Sequence, residues 1–581
     1  MMQRSAVARP LLMVGLGSAL LYASYLVWVS FGYLNMASDA VSWALVLMSF
    51  FIFLRASRPA PDTGQDSVLR YSTVIAPASV AFTVFLVTLP SAYSGTYAVT
   101  AVSVAASAAV IAAWTAKKQQ AGFASLMALV VLFSWLHLSQ TGQFQTDEIF
   151  LDYYASHLAL RGIDPYTANI AQSLVVQHVP LADLTPLLSG GFFSGMDYPA
   201  LSFLVMLPFD IVHADAGVVP LTFFLVSLVL VYMVAWKREG AWAGALAVAM
   251  ILMDFGLVSL ASNGDMDTVW VFFLLLSEIL MARSTLASGV SYGLSVAAKQ
   301  IPLLVAPFML VYLVRQRGWR SAAIFALSSV LSFMAIDLPY IAASPASFLS
   351  EVARPETGAL IWIGQGPSLI SFTGIYLLSK GYFTMLMAVL EALLAILYAV
   401  DFRRLALSFP VFPILVMFFN YRLLFNYLAF WPMLLVPVIF LWERPGGASK
   451  GTRQRVLRVA RYAAVAVAVA AVCTFPAFHV HDSGARIVSV ELLHGPGGNV
   501  SEMVVTVEGP GSQGLHFRSF GPGFISYPNG ILWRDAYERN TTSGSVYVLE
   551  PWPGQGGIAA SSVRVVNGYS TSESIFARVG N

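Results

Sequence analysis

Long apolar runs dominate the chain from its start to about residue 477 and then stop. They lie at 11–33, 40–54, 72–91, 97–115, 121–138, 217–236, 241–261, 268–282, 286–299, 301–314, 320–337, 382–400, 405–419, 428–443 and 462–477, and they predict membrane-crossing helices. An apolar helix of ~17–25 residues matches the hydrocarbon thickness of a bilayer and satisfies its own backbone hydrogen bonds there. A membrane β-barrel would instead need short alternating strands, which are absent before residue 480.

Beyond about residue 480 the pattern changes to short runs rich in β-branched residues, such as RIVSVELL, EMVVTVEG, SVYVLEP and SSVRVV, separated by Gly and Pro. That alternation predicts a small all-β, sandwich-like domain of roughly one hundred residues. The fold expected is therefore mainly α and polytopic, with a C-terminal β-domain.

Lys and Arg fall in alternate loops: Arg4 and Arg9; Arg55, Arg58 and Arg70; Lys117 and Lys118; Lys237 and Arg238; Arg283; Arg315, Arg317 and Arg320; Arg403 and Arg404; then Arg444 to Arg461. By the positive-inside rule these loops and the N-terminus are cytoplasmic. Residues 139–216, 262–267, 338–381, 420–427 and everything after about 478 are then outside. Two further apolar stretches, 198–212 and 366–379, would reverse the charged loops if either crossed alone, so both read as interfacial or re-entrant. Crossing by both is the competing reading, since two reversals cancel.

Composition agrees: 58% of residues are hydrophobic and only 11% charged, with a mean hydropathy of +0.73. The net charge of +2 comes without a concentrated basic face, so nucleic acid is not an expected partner. The single cysteine, Cys473, rules out an intrachain disulfide and a cysteine metal cluster.

Candidate chemistry gathers in the external loops. The segment TDEIFLDYYASHLALRGIDPY at 146–166 is too polar to cross. Its spacing predicts a helix from Asp147, with Thr146 as N-cap and with Asp147, Leu151, Tyr154, Leu158 and Arg161 near one face. Gly162 and Pro165 would end it. Asp147 and Glu148 then either complement the helix dipole or supply a catalytic base at the membrane edge. Asn263-Gly264-Asp265-Met266-Asp267 forms a short acidic turn before a span. Lys299, at the outer end of a helical pair, either snorkels or meets an anion. Arg422 sits in the aromatic turn Asn420–Tyr427, and the two cations together would suit a lipid phosphate. Tyr153, Tyr154, Tyr166, Tyr198 and Trp362 are aromatics at the membrane edge, where such rings are common.

The ordered set formed by the acidic motif ending in Gly-x-x-Pro-Tyr, Tyr198-Pro199-Ala200-Leu201, the Gly264–Asp267 turn and Lys299-Gln300-Ile301-Pro302 resembles the GT-C superfamily of membrane glycosyltransferases. The resemblance covers roughly residues 121–443 and is greatest to prokaryotic mannosyltransferase-like members. It implies that Asp147, with Glu148 as its neighbour, is the catalytic base. Lys299, with Arg422, would hold the donor phosphate. Tyr154, Arg161, Tyr166, Tyr198, Asp265 and Asp267 would contact substrate, and Tyr153 and Trp362 would join Tyr154, Tyr166 and Tyr198 as candidates to line a sugar site. One proline of the family's Tyr-Pro-Pro-Leu pattern is missing here, and four extra spans precede the catalytic loop.

The organisation expected is 1–120 as extra N-terminal helices, 121–443 as a catalytic core with external loop 139–216, 444–477 as connector and last span, and 478–581 as the outer β-domain. The implied donor is a polyprenyl-phosphate sugar, and the acceptor is a glycolipid, a polysaccharide or a protein. No cofactor is required by such chemistry, although the acidic residues would accept a divalent metal. The alternative class is a transporter or flippase of lipid-linked saccharides, which Asp254, Glu278 and Glu391 within or near spans would serve. A third is an envelope-sugar sensor. The β-domain would either bind the acceptor or cap the cavity.

Overall fold

The computed structural model describes residues 2–31, 36–58, 146–170, 184–254, 256–443, 474–480, 484–495, 497–521, 530–552 and 558–579. The runs expected to cross at 72–91, 97–115 and 121–138, most of 462–477 with Cys473, and the connector at 445–460 lie outside them. The described chain is mostly helical, followed by an all-β part.

Among the described residues five helices are long and apolar enough to cross a membrane: Arg9–Val29 within Met2–Phe31, then Met36–Ala56, Val218–Glu239, Trp319–Ala343 and Lys380–Val400. A sixth crossing is available if the helices Ala243–Ile251 and Gly256–Ser262, bent by 76°, act as one broken span. Trp319–Ala343 turns Leu327, Val330 and Leu331 outward, more than half exposed. An apolar face of that kind is stable against lipid rather than water. The stretches 198–212 and 366–379 do not form spanning helices. The first breaks into Leu201–Leu204 and Leu207–Ile211, and the second holds only Leu369–Phe372.

Three helices hold the residues that matter most below: α1 (Asp147–Leu160), α2 (Asp267–Met281) and α3 (Thr285–Ala298). At 15 and 14 residues, α2 and α3 are shorter than the ~20 needed to span perpendicular to a bilayer. They pack as an antiparallel pair stitched by serines. Ser291 and Ser295 of α3 donate to the carbonyls of Phe273 and Trp270, and Ser277 and Ser288 exchange hydrogen bonds. On its other side α3 meets Trp319–Ala343 through Gly289 and Gly293, where a Cβ would lie 2.5 Å from the Phe325 carbonyl and 2.2 Å from that of Ser329. Small residues four apart let helix backbones touch in this way. This packing fixes where α3 ends, and so where Lys299 projects.

The all-β part is one antiparallel sheet of seven strands: β3 (Arg486–His494), β4 (Val500–Glu508), β5 (His516–Phe520), β6 (Ile531–Asn540), β7 (Gly544–Pro551), β8 (Val565–Tyr569) and β9 (Ser574–Arg578). Their order is β3-β4-β7-β6-β5-β8-β9. The edge strands β3 and β9 curl round to pack together, so the form is barrel-like, where the sequence suggested a sandwich. Met503, Val505, Val507, Phe517, Tyr547 and Leu549 fill its interior. Two remaining strands, β1 (Ile363–Gly364) and β2 (Arg422–Leu423), form a parallel pair in the helical part.

Candidate active site

Helix α1 begins as its sequence requires. Thr146 is the N-cap, its hydroxyl accepting from the Glu148 amide at 3.2 Å. At the other end Gly162, with φ +72°, takes the left-handed position, and the Ile163 amide returns to the Leu158 carbonyl at 3.0 Å. The buried face carries Glu148, Leu151, Asp152, Ala155 and Leu158, so two acids four residues apart point into the protein beside apolar neighbours.

Glu148 meets the short acidic turn through Lys299. The Lys299 ammonium lies 2.8 Å from Glu148 Oε1 and 2.5 Å from Asp267 Oδ1, with all three side chains buried. The rings of Tyr198 and Tyr427 flank it at 4.8 and 5.6 Å. Asp267 is further held by Trp270 Nε1 and Asn426 Nδ2, each donating at 2.8 Å, while Asp265 Oδ1 accepts from the Asp267 amide at 2.9 Å. Lys299 therefore has its charge answered twice within the protein. A role as donor-phosphate ligand would require one of those carboxylates to release it.

Asp147 is placed differently. It keeps partial exposure, its Oδ2 accepts from the Thr185 amide at 2.9 Å, and the Arg422 guanidinium acts on it. Arg422 donates through Nη2 to the same threonine's hydroxyl at 3.4 Å and is itself buried, with Nη1 unpartnered. The β1–β2 pair fixes Arg422 against Ile363, and Asn420 Oδ1 accepts from its amide at 2.8 Å.

The other motif residues serve as braces. The Tyr166 hydroxyl donates to the Tyr198 carbonyl at 2.8 Å, and Asp337 accepts from the Ala200 amide at 2.7 Å. Gln300 donates to the carbonyls of Asp197, at 2.6 Å, and Val352, at 2.8 Å. These bonds set the Tyr-Pro-Ala-Leu segment beside Lys299. Asp147, Glu148, Tyr198, Asp265, Asp267, Lys299 and Arg422 thus share one site. Arg161 does not join them: it is exposed at the opposite end of α1, about 20 Å away at ~1.5 Å per residue. Tyr154 packs with the apolar cluster around Trp362, and Tyr166 stands behind the site with its hydroxyl already used.

Sequence reading missed three contributors. Asp152 lies four residues from Glu148 but is obscured by its tyrosine neighbours, whereas Asp197 was recognisable from its place next to Tyr198. Thr185 carried no signal, since only the folded loop brings it to Asp147.

Six carboxyl groups surround two cations here. Burial raises Asp147, partly opposed by the Thr185 hydrogen bonds and by Arg422. Burial likewise lifts Glu148 well above its ordinary value, against the pull of Lys299. Asp152, Asp197 and Asp265 are each pushed up to about 7, chiefly by burial. Asp197 is also repelled by Asp147, and Asp265 by Asp267. Lys299 is held well above its usual value: burial opposes its charge, but Asp267 and Glu148 outweigh it. Oxygens of Glu148, Asp265 and Asp267 lie within 4.8 Å of one another, close enough to share a divalent cation. Lys299 Nζ already reaches two of the three, so a metal there would compete with the ammonium.

No family model, curated protein or solved structure matches the chain.

Proposed function

We propose that the chain is an integral membrane glycosyltransferase that moves a sugar from a polyprenyl-phosphate donor to an acceptor hydroxyl at the external membrane face, with inversion. The single observation that carries this reading is the juxtaposition of a partly exposed Asp147 with a buried Arg422 bearing an unpartnered N–H, both anchored on Thr185.

In this scheme Asp147 accepts the acceptor's hydroxyl proton as the new C–O bond forms at the sugar's anomeric carbon. The bond from that carbon to the phosphate oxygen breaks, its electron pair stays on phosphate, and Arg422 stabilises the departing charge. A carboxyl raised by burial is a stronger base when ionised, which suits it to this proton transfer. Glu148, already committed to Lys299, is less free to act as base, so Lys299 becomes an organiser of the acidic turn and Arg422 the phosphate ligand. The acceptor would be a glycolipid, a polysaccharide or a protein. The competing reading, a transporter or flippase of lipid-linked saccharides, draws on Asp254 and Glu278, buried within the helical part with unpartnered carboxyl oxygens.

Transfer of labelled sugar from a short-chain polyprenyl-phosphate donor by the purified protein separates these. Asp147→Asn is expected to lose roughly 10²–10⁴-fold in turnover while retaining donor binding. Wild-type activity is expected to fall on acidification, with a midpoint above the ordinary aspartate value of 3.8. Unchanged turnover in the variant would remove Asp147 from the base role, and vectorial movement of intact donor across vesicles without transfer would establish the transporter.

A further inference from the structure

From the residue before β1 to the short helix Leu369–Phe372 the chain runs Trp362-Ile363-Gly364-Gln365-Gly366-Pro367-Ser368. Three side chains of this loop are buried with hydrogen-bonding atoms that meet no partner: Trp362 Nε1, both ends of the Gln365 amide, and Ser368 Oγ. Gln365 and Ser368 are fully inaccessible to solvent. The loop adjoins the site described above, because β1 pairs with β2 and the backbone N–H of Gln365 donates to the Leu423 carbonyl at 2.9 Å, one residue beyond Arg422. Arg422 Nη1, likewise unpartnered, brings the number of unused polar atoms on these two adjoining strands and the loop to five.

Buried polar groups are normally hydrogen-bonded, so a group of exceptions in one place needs an explanation. Other buried atoms also lack partners, among them the carboxyl oxygens of Glu278 and Glu391, but here three side chains within seven residues share that condition directly beside Arg422. The chemistry of the set narrows the ligand. It contains no carboxylate, which argues against a metal ion. Apart from Arg422 it is neutral, which argues against an anion filling the whole of it. A carboxamide and a hydroxyl both donate and accept, as sugar hydroxyls do, and an indole adds a donor beside an apolar ring face.

We propose that Trp362, Gln365 and Ser368 form a subsite for a neutral, polyhydroxylated ring, a glycosyl group, held next to the phosphate position at Arg422. Its place in the reaction rests on the donor reading above; the recognition of a sugar does not. Gln365 is the specificity-determining residue, since its amide can address two neighbouring hydroxyls and fixes their arrangement.

The test is thermal unfolding of the full-length protein in detergent micelles with two kinds of probe: methyl glycosides of mannose, glucose, galactose and arabinose, and sugar-free polyprenyl phosphate. At least one glycoside should raise the wild-type midpoint, and Gln365→Leu should abolish that response. The response to polyprenyl phosphate should persist in Gln365→Leu and disappear in Arg422→Ala. Without ligand, Gln365→Leu should unfold at or above the wild-type temperature, because an apolar group replaces an unpaired amide. A marked drop would show that the amide has a structural partner and would overturn the proposal, as would no glycoside response in the wild type or an undiminished one in the variant. A glycoside response without any response to polyprenyl phosphate would leave the sugar subsite standing and remove the lipid-phosphate donor.

Discussion

Asp152 shows what the site demands of single residues. It is fully buried on α1, four residues from Glu148 and beside the Ser202 hydroxyl. Burial pushes its carboxyl up to about 7 in the folded protein, against 3.8 ordinarily, and does the same to Asp197 and Asp265. Between about pH 4 and 7 the folded state therefore binds more protons than the unfolded one, and stability falls as pH rises through that window. Thermal unfolding should accordingly occur at a higher temperature at pH 5 than at pH 8. Asp152→Asn should raise the pH 8 midpoint by a few degrees and flatten the profile; an unchanged profile would mean that Asp152 is ionised in the fold at both pH values. At this scale much was legible in the sequence, because Asp147, Glu148, Asp265, Asp267, Lys299 and Arg422 are conspicuous charges in an apolar chain. Asp152 was not, since amid tyrosines it looks like part of a wetted helix face until the partner of that face is known.

Among the elements, α1 was the most legible. Its cap, start, end and glycine stop all follow from local rules that operate within a few residues. The β1–β2 pair was invisible because it joins distant parts of the chain over only two residues each. It depends on Gly364, whose φ of +111° is unfavourable to other residues and whose added Cβ would lie 1.8 Å from the Leu423 carbonyl. Gly364→Ala should therefore separate the strands and displace Arg422, with transfer activity falling at least tenfold although no reacting group has changed. If Gly364→Ala matched wild type in the transfer assay, β1–β2 pairing would have no part in positioning Arg422.

For the molecule as a whole, the division into an apolar helical part and a β-rich remainder was written in the hydropathy pattern, but the closure of the sheet was not. Closure depends on the first and last strands meeting, and no local alternation encodes that. Nor did the sequence indicate where the sheet would rest. The ring of Phe372 packs between Phe520 and Phe576 with the Arg518 guanidinium 4.5 Å above it, and Ser574 donates to the Phe372 carbonyl at 2.7 Å. Phe372→Ala should remove roughly 3–5 kcal/mol from this seat. Limited proteolysis followed by mass spectrometry should then show faster cleavage near residue 480, and equal cleavage rates would mean that other contacts hold the sheet.

The loop that carries Thr185 also touches the sheet. Its carbonyl accepts from the Phe193 amide at 2.7 Å, closing a small hairpin whose tip packs Phe192 against Trp552 and sets Gly190 against the ring of His516. The hairpin thus works as a lever arm, with one end on the barrel and the other on the amide that grips Asp147. The barrel and the Asp147 carboxylate therefore share one short stretch of backbone, so a displacement of the barrel would be expected to change the angle at which that carboxylate is presented.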